Sequence, residues 1–191
     1  MTPICFATNN LHKLEEVRAM LGHDRVRSLA DIGCHEELPE DHETLEENSM
    51  QKALHVAERY RIDCIADDSG LEVDALQGAP GVWSAMYAGP ERDSEKNIDL
   101  LLHRMQGVTD RRARFRTVIT LVRSGRPVVF TGEVSGVITD RRRGGRGFGY
   151  DPVFLPDGFD RTMAELSMEE KNRISHRAAA VRALVGHLSG G

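Results

Sequence analysis

One stretch limits what this chain can fold into more than any other: Ile65-Ala66-Asp67-Asp68-Ser69-Gly70-Leu71-Glu72-Val73-Asp74. The apolar run Cys64-Ile65-Ala66 reads as the end of a buried strand, and four carboxylates, Asp67, Asp68, Glu72 and Asp74, follow within eight residues. Ser69-Gly70 then reads as a turn. Carboxylates at a strand end are poor material for a core. They suit a hard cation such as Mg²⁺, or a general base acting on water. They equally suit an acidic surface turn whose side chains cap backbone N–H groups. The rest of the chain has to separate these readings.

With 191 residues, one domain or two small lobes are expected, with enough chain for a core that needs no staples. The net charge of −5 argues against a general nucleic-acid coat. The three cysteines, Cys5, Cys34 and Cys64, form no CxxC pair, so neither a zinc knuckle nor a disulfide framework is indicated. Cys5 and Cys64 read as core thiols in a reducing cytoplasm. No run has the length of a membrane span, and Asn9-Asn10 arrives before any long apolar segment, so no signal peptide is expected.

A short strand over 3–7 is broken by Thr8-Asn9-Asn10 and followed by a helix over 11–21 with Leu11, Leu14, Val17 and Leu21 on one face. Free N–H groups at such a helix start make an anion site. Lys13 sits in the first turn, where the helix dipole disfavours a cation, so a bound polyanion accounts for it better. Alternatively, Asn10 caps the helix and Lys13 is solvated. Residues 24–43 are irregular and acidic, and a helix follows from Thr44 to about Tyr60, with Lys52 by default on its surface.

Trp83 to Tyr87 reads as a short helix with Trp83 packed in the core. Asp93 to Met105 is an amphipathic helix, and 113–122 with 127–138 is an antiparallel hairpin. Strand–helix units followed by a hairpin indicate an α/β fold with a mixed sheet. The basic, glycine-rich run 140–147 is either a mobile loop or a phosphate contact. Glycines flank Phe148, which lets its ring be presented to a planar ligand. Ser167-Met-Glu-Glu170 is a capping box, and one helix is expected from there to about Leu188. Lys171, His176 and Arg177 fall off its apolar stripe and point to an anion or a purine edge.

In their order, several segments resemble one known family. They are Ala7-Thr8-Asn9-Asn10 with Lys13, Glu40 ahead of Glu47-Asn48 and Lys52-Ala53, and Ala66 through Leu71. Gly78-Ala79-Pro80-Gly81 follows, with Ser84-Ala85 and Tyr87-Ala88-Gly89, then Gly147 through Pro152, then Thr162 through Leu166, Glu170-Lys171-Asn172 and Ile174-Ser175-His176-Arg177. The chain is similar to the inosine/xanthosine triphosphate pyrophosphatases over most of its length.

That resemblance implies a single ITPase-like domain over 1–191. Its expected form is a mixed, twisted central sheet with helices on both sides, in two lobes with the nucleotide in the cleft between them. It implies a cytoplasmic homodimer that uses Mg²⁺ to cleave ITP, dITP or XTP between the α and β phosphates. Carried over by motif, Thr8, Asn9, Asn10, Leu11, His12, Lys13, Lys52 and Lys171 hold the triphosphate. Glu40 and Asp68 serve the metal, Asp68 is the base, and Ser69 contacts substrate nearby. Phe148, Gly149, Tyr150, Asp151, His176 and Arg177 form the base and sugar pocket. Two positions depart from the pattern: Asn9 replaces a common glycine, and Met86 stands where the family commonly has arginine.

Physics accords with these roles. Unit charges about 4 Å apart interact by roughly 4 kcal/mol at an effective dielectric near 20, so a triphosphate facing these acids needs a divalent cation between. Donors facing the purine 6-oxygen would leave groups unpaired with adenine. A nucleotide hydrolase of other regiochemistry, or a non-catalytic purine nucleotide binder, is the alternative. A nucleic-acid reading rests only on Arg141, Arg142, Arg143 and Arg146, and no membrane contact is expected.

Overall fold

Capping residues set the helix boundaries. In the computed structural model, which describes residues 3–190, Asn10 Oδ1 accepts from the His12 and Lys13 N–H groups and opens α1 (Leu11–Leu21). Thr44 caps α2 (Leu45–Tyr60), and Asp93 caps α3 (Ser94–Arg104). The Ser167/Glu170 capping box opens α4 (Met168–Ile174), and α5 (His176–Ser189) follows.

The strands are β1 (Ile4–Phe6), β2 (Val26–Arg27), β3 (Cys64–Val73), β4 (Pro80–Gly81), β5 (Arg112–Arg123), β6 (Arg126–Ile138) and β7 (Phe154–Pro156). They form one mixed sheet in the order β2-β1-β3-β5-β6-β7, with β4 on β3. β1 pairs parallel with β2 and β3, whereas β4 on β3 and β7 on β6 are antiparallel.

Two compact units share the chain. The first holds Met1–Asp68, Thr117–Gly132 and His176–Gly191, and the second holds Ser69–Arg116 and Glu133–Ser175. In the first unit helices cover both faces of the sheet. Ile4, Phe6, Ile65, Ile119 and Leu121 pack with Leu14 and Val17 of α1 and Val181 and Leu184 of α5. Cys5, Ala7, Cys64, Ala66 and Val122 pack with Ala53 and Val56 of α2. The second unit has its own core, in which Leu71, Val73, Phe115, Ile138 and Phe154 meet Ile98 and Leu101 of α3. Cys5, Cys34 and Cys64 are buried free thiols, as expected for Cys5 and Cys64.

Four local expectations are corrected. Ser69-Gly70 is not a turn, because β3 runs straight through it and Leu71 pairs with Gly81. A Cβ on Gly70 would lie 2.4 Å from the Gly81 carbonyl oxygen, so the glycine is there for close strand approach. Trp83 is 54% exposed rather than core. The turn that bonds Trp83 N–H to Pro80 O makes Ser84 the inward residue, its Oγ accepting from Leu71 N–H and donating to Gly81 O. Leu11 is 73% exposed, since first-turn side chains lean past the helix start. The final helix is two helices, because Ser175 takes extended angles (φ −66, ψ 153) between α4 and α5.

Candidate active site

Successive residues of a strand face opposite sides of the sheet. On β3, Cys64 and Ala66 face α2 while Ile65 faces α1 and α5. By the same alternation Asp67 turns toward α1 and α5, and Asp68 toward α2. Two neighbouring acids thus enter two different environments.

Asp67 anchors a buried chain of alternating charge. Lys13 Nζ lies 3.1 Å from both its carboxylate oxygens. Arg177 Nε donates to Asp67 Oδ2 at 3.2 Å, and Arg177 Nη1 to Glu16 Oε2 at 2.5 Å. Two cations answer two anions, and the Asp67, Glu16 and Arg177 side chains are at most 3% exposed. Burial alone would push the Asp67 carboxyl up, but Lys13, Arg177 and Lys52 outweigh it and hold it well below the usual carboxylate range. Burial pulls the Lys13 ammonium below its ordinary value despite Asp67. Arg177 moves the other way, because Asp67 and Glu16 overcome its burial.

Asp68 enters the second environment. Its Oδ2 accepts from the Asn48 amide at 3.2 Å, and Lys52 Nζ reaches Glu40 Oε1 at 2.5 Å. Burial raises the Asp68 carboxyl, and Glu40 and Asp67 add to this against the pull of Lys52 and Lys13. Lys52 is raised in spite of its burial by Asp68, Glu40 and Asp67. The sheet therefore presents one acid held ionised and one whose proton affinity is increased. Among the described residues no three His, Cys, Asp or Glu side chains gather as a metal cluster. Glu40 pairs with Lys52 and Asp68 also acts on that ammonium, so two carboxylates bear on one buried cation.

The second unit carries a separate constellation. Asp151 Oδ2 accepts from the Phe148 N–H at 2.9 Å and from Lys171 Nζ at 2.7 Å. The Lys171 ammonium also lies 4.7 Å from the Phe148 ring centroid, a cation–π contact. Gly147, at φ +75, lets Asp151 in: a Cβ there would sit 2.1 Å from Oδ2. Tyr150 donates its hydroxyl to Ser84 O at 2.8 Å, and its burial, with Tyr87 nearby, raises the phenol above its ordinary value. Its visible task is to hold the loop.

Other expected site residues fall as follows. The His12 and Lys13 N–H groups, expected to await an anion, are met by Asn10 Oδ1, and Thr8 Oγ1 accepts from Asn10 N–H. A capping asparagine supplies that oxygen in place of a ligand. Lys13 has Asp67 as its anion, so the helix-start argument for a polyanion is not needed to explain it. Asn9, Leu11 and His12 are exposed, and Ser69 and Gly149 are half-buried. Lys52, expected on the surface, is buried, and so are Lys171, His176 and Arg177, which the sequence places off the apolar stripe; carboxylates on neighbouring elements reach Lys52, Lys171 and Arg177. The basic loop is largely tied down: Arg142 pairs with Glu95 and Asp99, and Arg143 with Glu165.

The Ham1 family model matches residues 4–187. This chain belongs to the Ham1 family. It is 47% identical over 187 residues to a dITP/XTP pyrophosphatase of Christiangramia forsetii, covering 97% of this chain and 98% of that protein. To the Flavobacterium johnsoniae dITP/XTP pyrophosphatase it is 46% identical over 187 residues, 97% of each. The solved Ham1 protein of Staphylococcus aureus is similar at TM-score 0.89 and 41% identity, over 99% of both chains.

In this Ham1-family chain the residues that sequence reasoning left without a role are Asp67, Glu16 and Asn48. Strand alternation from Cys64 onward was the signal that separates Asp67 from Asp68. Glu16 stands three residues after Lys13 and next to buried Val17, the spacing of one helix face. An asparagine inside α2, a weak helix former, marked Asn48.

Proposed function

We propose that this protein hydrolyses non-standard purine nucleoside triphosphates, ITP, dITP and XTP, between the α and β phosphates, releasing the monophosphate and pyrophosphate. One observation carries the reading: adjacent Asp67 and Asp68 turn to opposite faces of β3, where Asp67 holds the Lys13 and Arg177 cations and Asp68 meets Asn48 of α2, the helix whose Lys52 pairs with Glu40. The names of the Christiangramia and Flavobacterium relatives accord with it.

The residues fit Mg²⁺, because that ion takes one or two carboxylates and completes its shell from phosphates and water. Asp68 and Glu40 would hold it. When bound, it supplies charge neutralisation between acids and triphosphate. Lys13 and Lys52 add positive potential for the phosphates. Asp68 accepts the proton of the attacking water. Asp67 serves by keeping Lys13 oriented, and Arg177 acts through Asp67 rather than by reaching a base. Phe148, backed by Lys171 and Asp151, offers a ring face to a purine. His176 is the candidate donor to the purine 6-oxygen. The triphosphate contacts expected of Thr8 to His12, Lys171 and Ser69 belong to the same proposal.

Among the described residues no helix is long and apolar enough to cross a membrane. A cytoplasmic homodimer completes the proposal, the three free thiols suiting a reducing compartment. A nucleoside triphosphate panel with Mg²⁺ tests it, with separate detection of pyrophosphate and orthophosphate. Pyrophosphate from ITP, dITP or XTP in preference to ATP is the expected result. Orthophosphate alone would mean other regiochemistry, and binding without turnover a non-catalytic protein.

A further inference from the structure

We infer that Asn48 is a positioning residue that fixes Asp68 and the Glu40 segment to one another. Its amide is clamped from the side away from Asp68. Asn48 Oδ1 accepts from the His42 backbone N–H at 2.9 Å, and Nδ2 donates to His42 O at 3.2 Å. That pairing settles the orientation of the amide, because a flipped amide would set donor against donor and acceptor against acceptor. The NH₂ group is therefore obliged to face Asp68, and its remaining hydrogen meets Asp68 Oδ2 at 3.2 Å.

Asn48 is only 4% exposed, so water does not compete for these bonds. His42 follows Glu40 by two residues, so the same side chain ties the segment bearing Glu40 to the strand bearing Asp68. Gln51, one turn further along α2, binds that segment too: Oε1 accepts from Asp41 N–H at 3.1 Å and Nε2 donates to Asp41 Oδ2 at 2.9 Å. Gln51 anchors the segment without touching Asp68 and so serves as the control. With Oδ2 engaged by a fixed donor, the rotation of the Asp68 carboxylate is constrained.

The inference rests on the proposed roles of Asp68 and Glu40. Its test measures binding of Mn²⁺ alone, by the loss of its free-ion electron paramagnetic resonance signal, beside steady-state pyrophosphate release. Asn48→Ala is expected to weaken Mn²⁺ binding 10–100-fold, as the loss of a group orienting a metal ligand does. It should lower kcat more than it raises KM. Gln51→Ala should stay within about twofold of the parent in both assays, well under that loss. Equal losses in the two variants would reduce Asn48 to a staple of the segment, and normal Mn²⁺ binding in Asn48→Ala would overturn the inference. Should Asn48→Ala not fold, Asn48→Asp decides: it keeps the acceptor for His42 N–H but loses the donor, so kcat should drop with KM little changed. An unaltered kcat there refutes the role. A parent protein that binds Mn²⁺ but releases no pyrophosphate would fail the proposed function instead, with the Mn²⁺ comparison still readable.

Discussion

Arg177→Leu should be among the most damaging single changes available to the first unit. The guanidinium faces Asp67 and Glu16, and all three side chains are at most 3% exposed. Removing the cation takes from both carboxylates the guanidinium that they share, although Lys13 and Lys52 still act on Asp67. Breaking a buried pair from one side costs about 3–5 kcal/mol. With a urea m-value of roughly 2 kcal/mol/M, the unfolding midpoint should fall by about 2 M. Circular dichroism during urea titration reads this directly. Arg173→Ala is the internal reference, since its pair with Glu169 is 72% and 78% exposed. Exposed helical pairs contribute only about 0.3–0.5 kcal/mol. The double variant Glu16→Leu/Arg177→Leu removes one charge of each sign and should recover about 1–3 kcal/mol through their coupling. A loss below about 1 kcal/mol for Arg177→Leu, the scale of a surface pair, would refute the account of a dry charge chain.

Asp68→Asn should abolish pyrophosphate release while nucleotide binding, followed by calorimetry, persists; an active variant removes Asp68 as base. Lys13→Ala should chiefly raise KM, about tenfold if roughly 1.4 kcal/mol of phosphate attraction is lost, and an unchanged KM counts against that contact. Asp67→Asn should destabilise the protein at neutral pH. The Asp67 carboxyl is depressed in the fold, so its contribution is complete above about pH 4 and lost as pH falls further. The gap to the parent in denaturant should close in acid, and a gap that widens there contradicts the assignment. Gly70→Ala should cost about 1–3 kcal/mol through forced separation of β3 from β4, visible as a lower Tm.

What the sequence revealed depended on whether the signal was local. Capping chemistry at Asn10, Thr44 and Ser167 is a matter of three or four residues, and the helices start where those residues say. Ser69-Gly70 failed because the dipeptide favours a turn locally while pairing with Gly81, eleven residues on, imposes a strand. Trp83 failed because bulk and apolarity suggest burial, yet the backbone turn chose Ser84. Ser175 did carry a signal, since serine readily precedes a helix, but the continuing apolar stripe through Ala178 and Val181 concealed it. At the site, motifs pointed to Glu40, Lys52 and Asp68, and the structure joins them around Lys52. Burial of the cations was invisible, because it follows from carboxylates 20 to 161 positions away in the cases of Lys171 and Arg177.

Because the chain passes between its two units at 68/69, 116/117, 132/133 and 175/176, neither is a continuous piece of polypeptide. Arg177, which donates to Glu16, lies 161 residues downstream, in α5. A nascent chain emerging from the ribosome therefore carries Glu16 and Asp67 without Arg177 until α5 has been made. Long-range closure of this kind slows folding. It also means that a premature stop ahead of α5 would leave a product unable to complete its first unit.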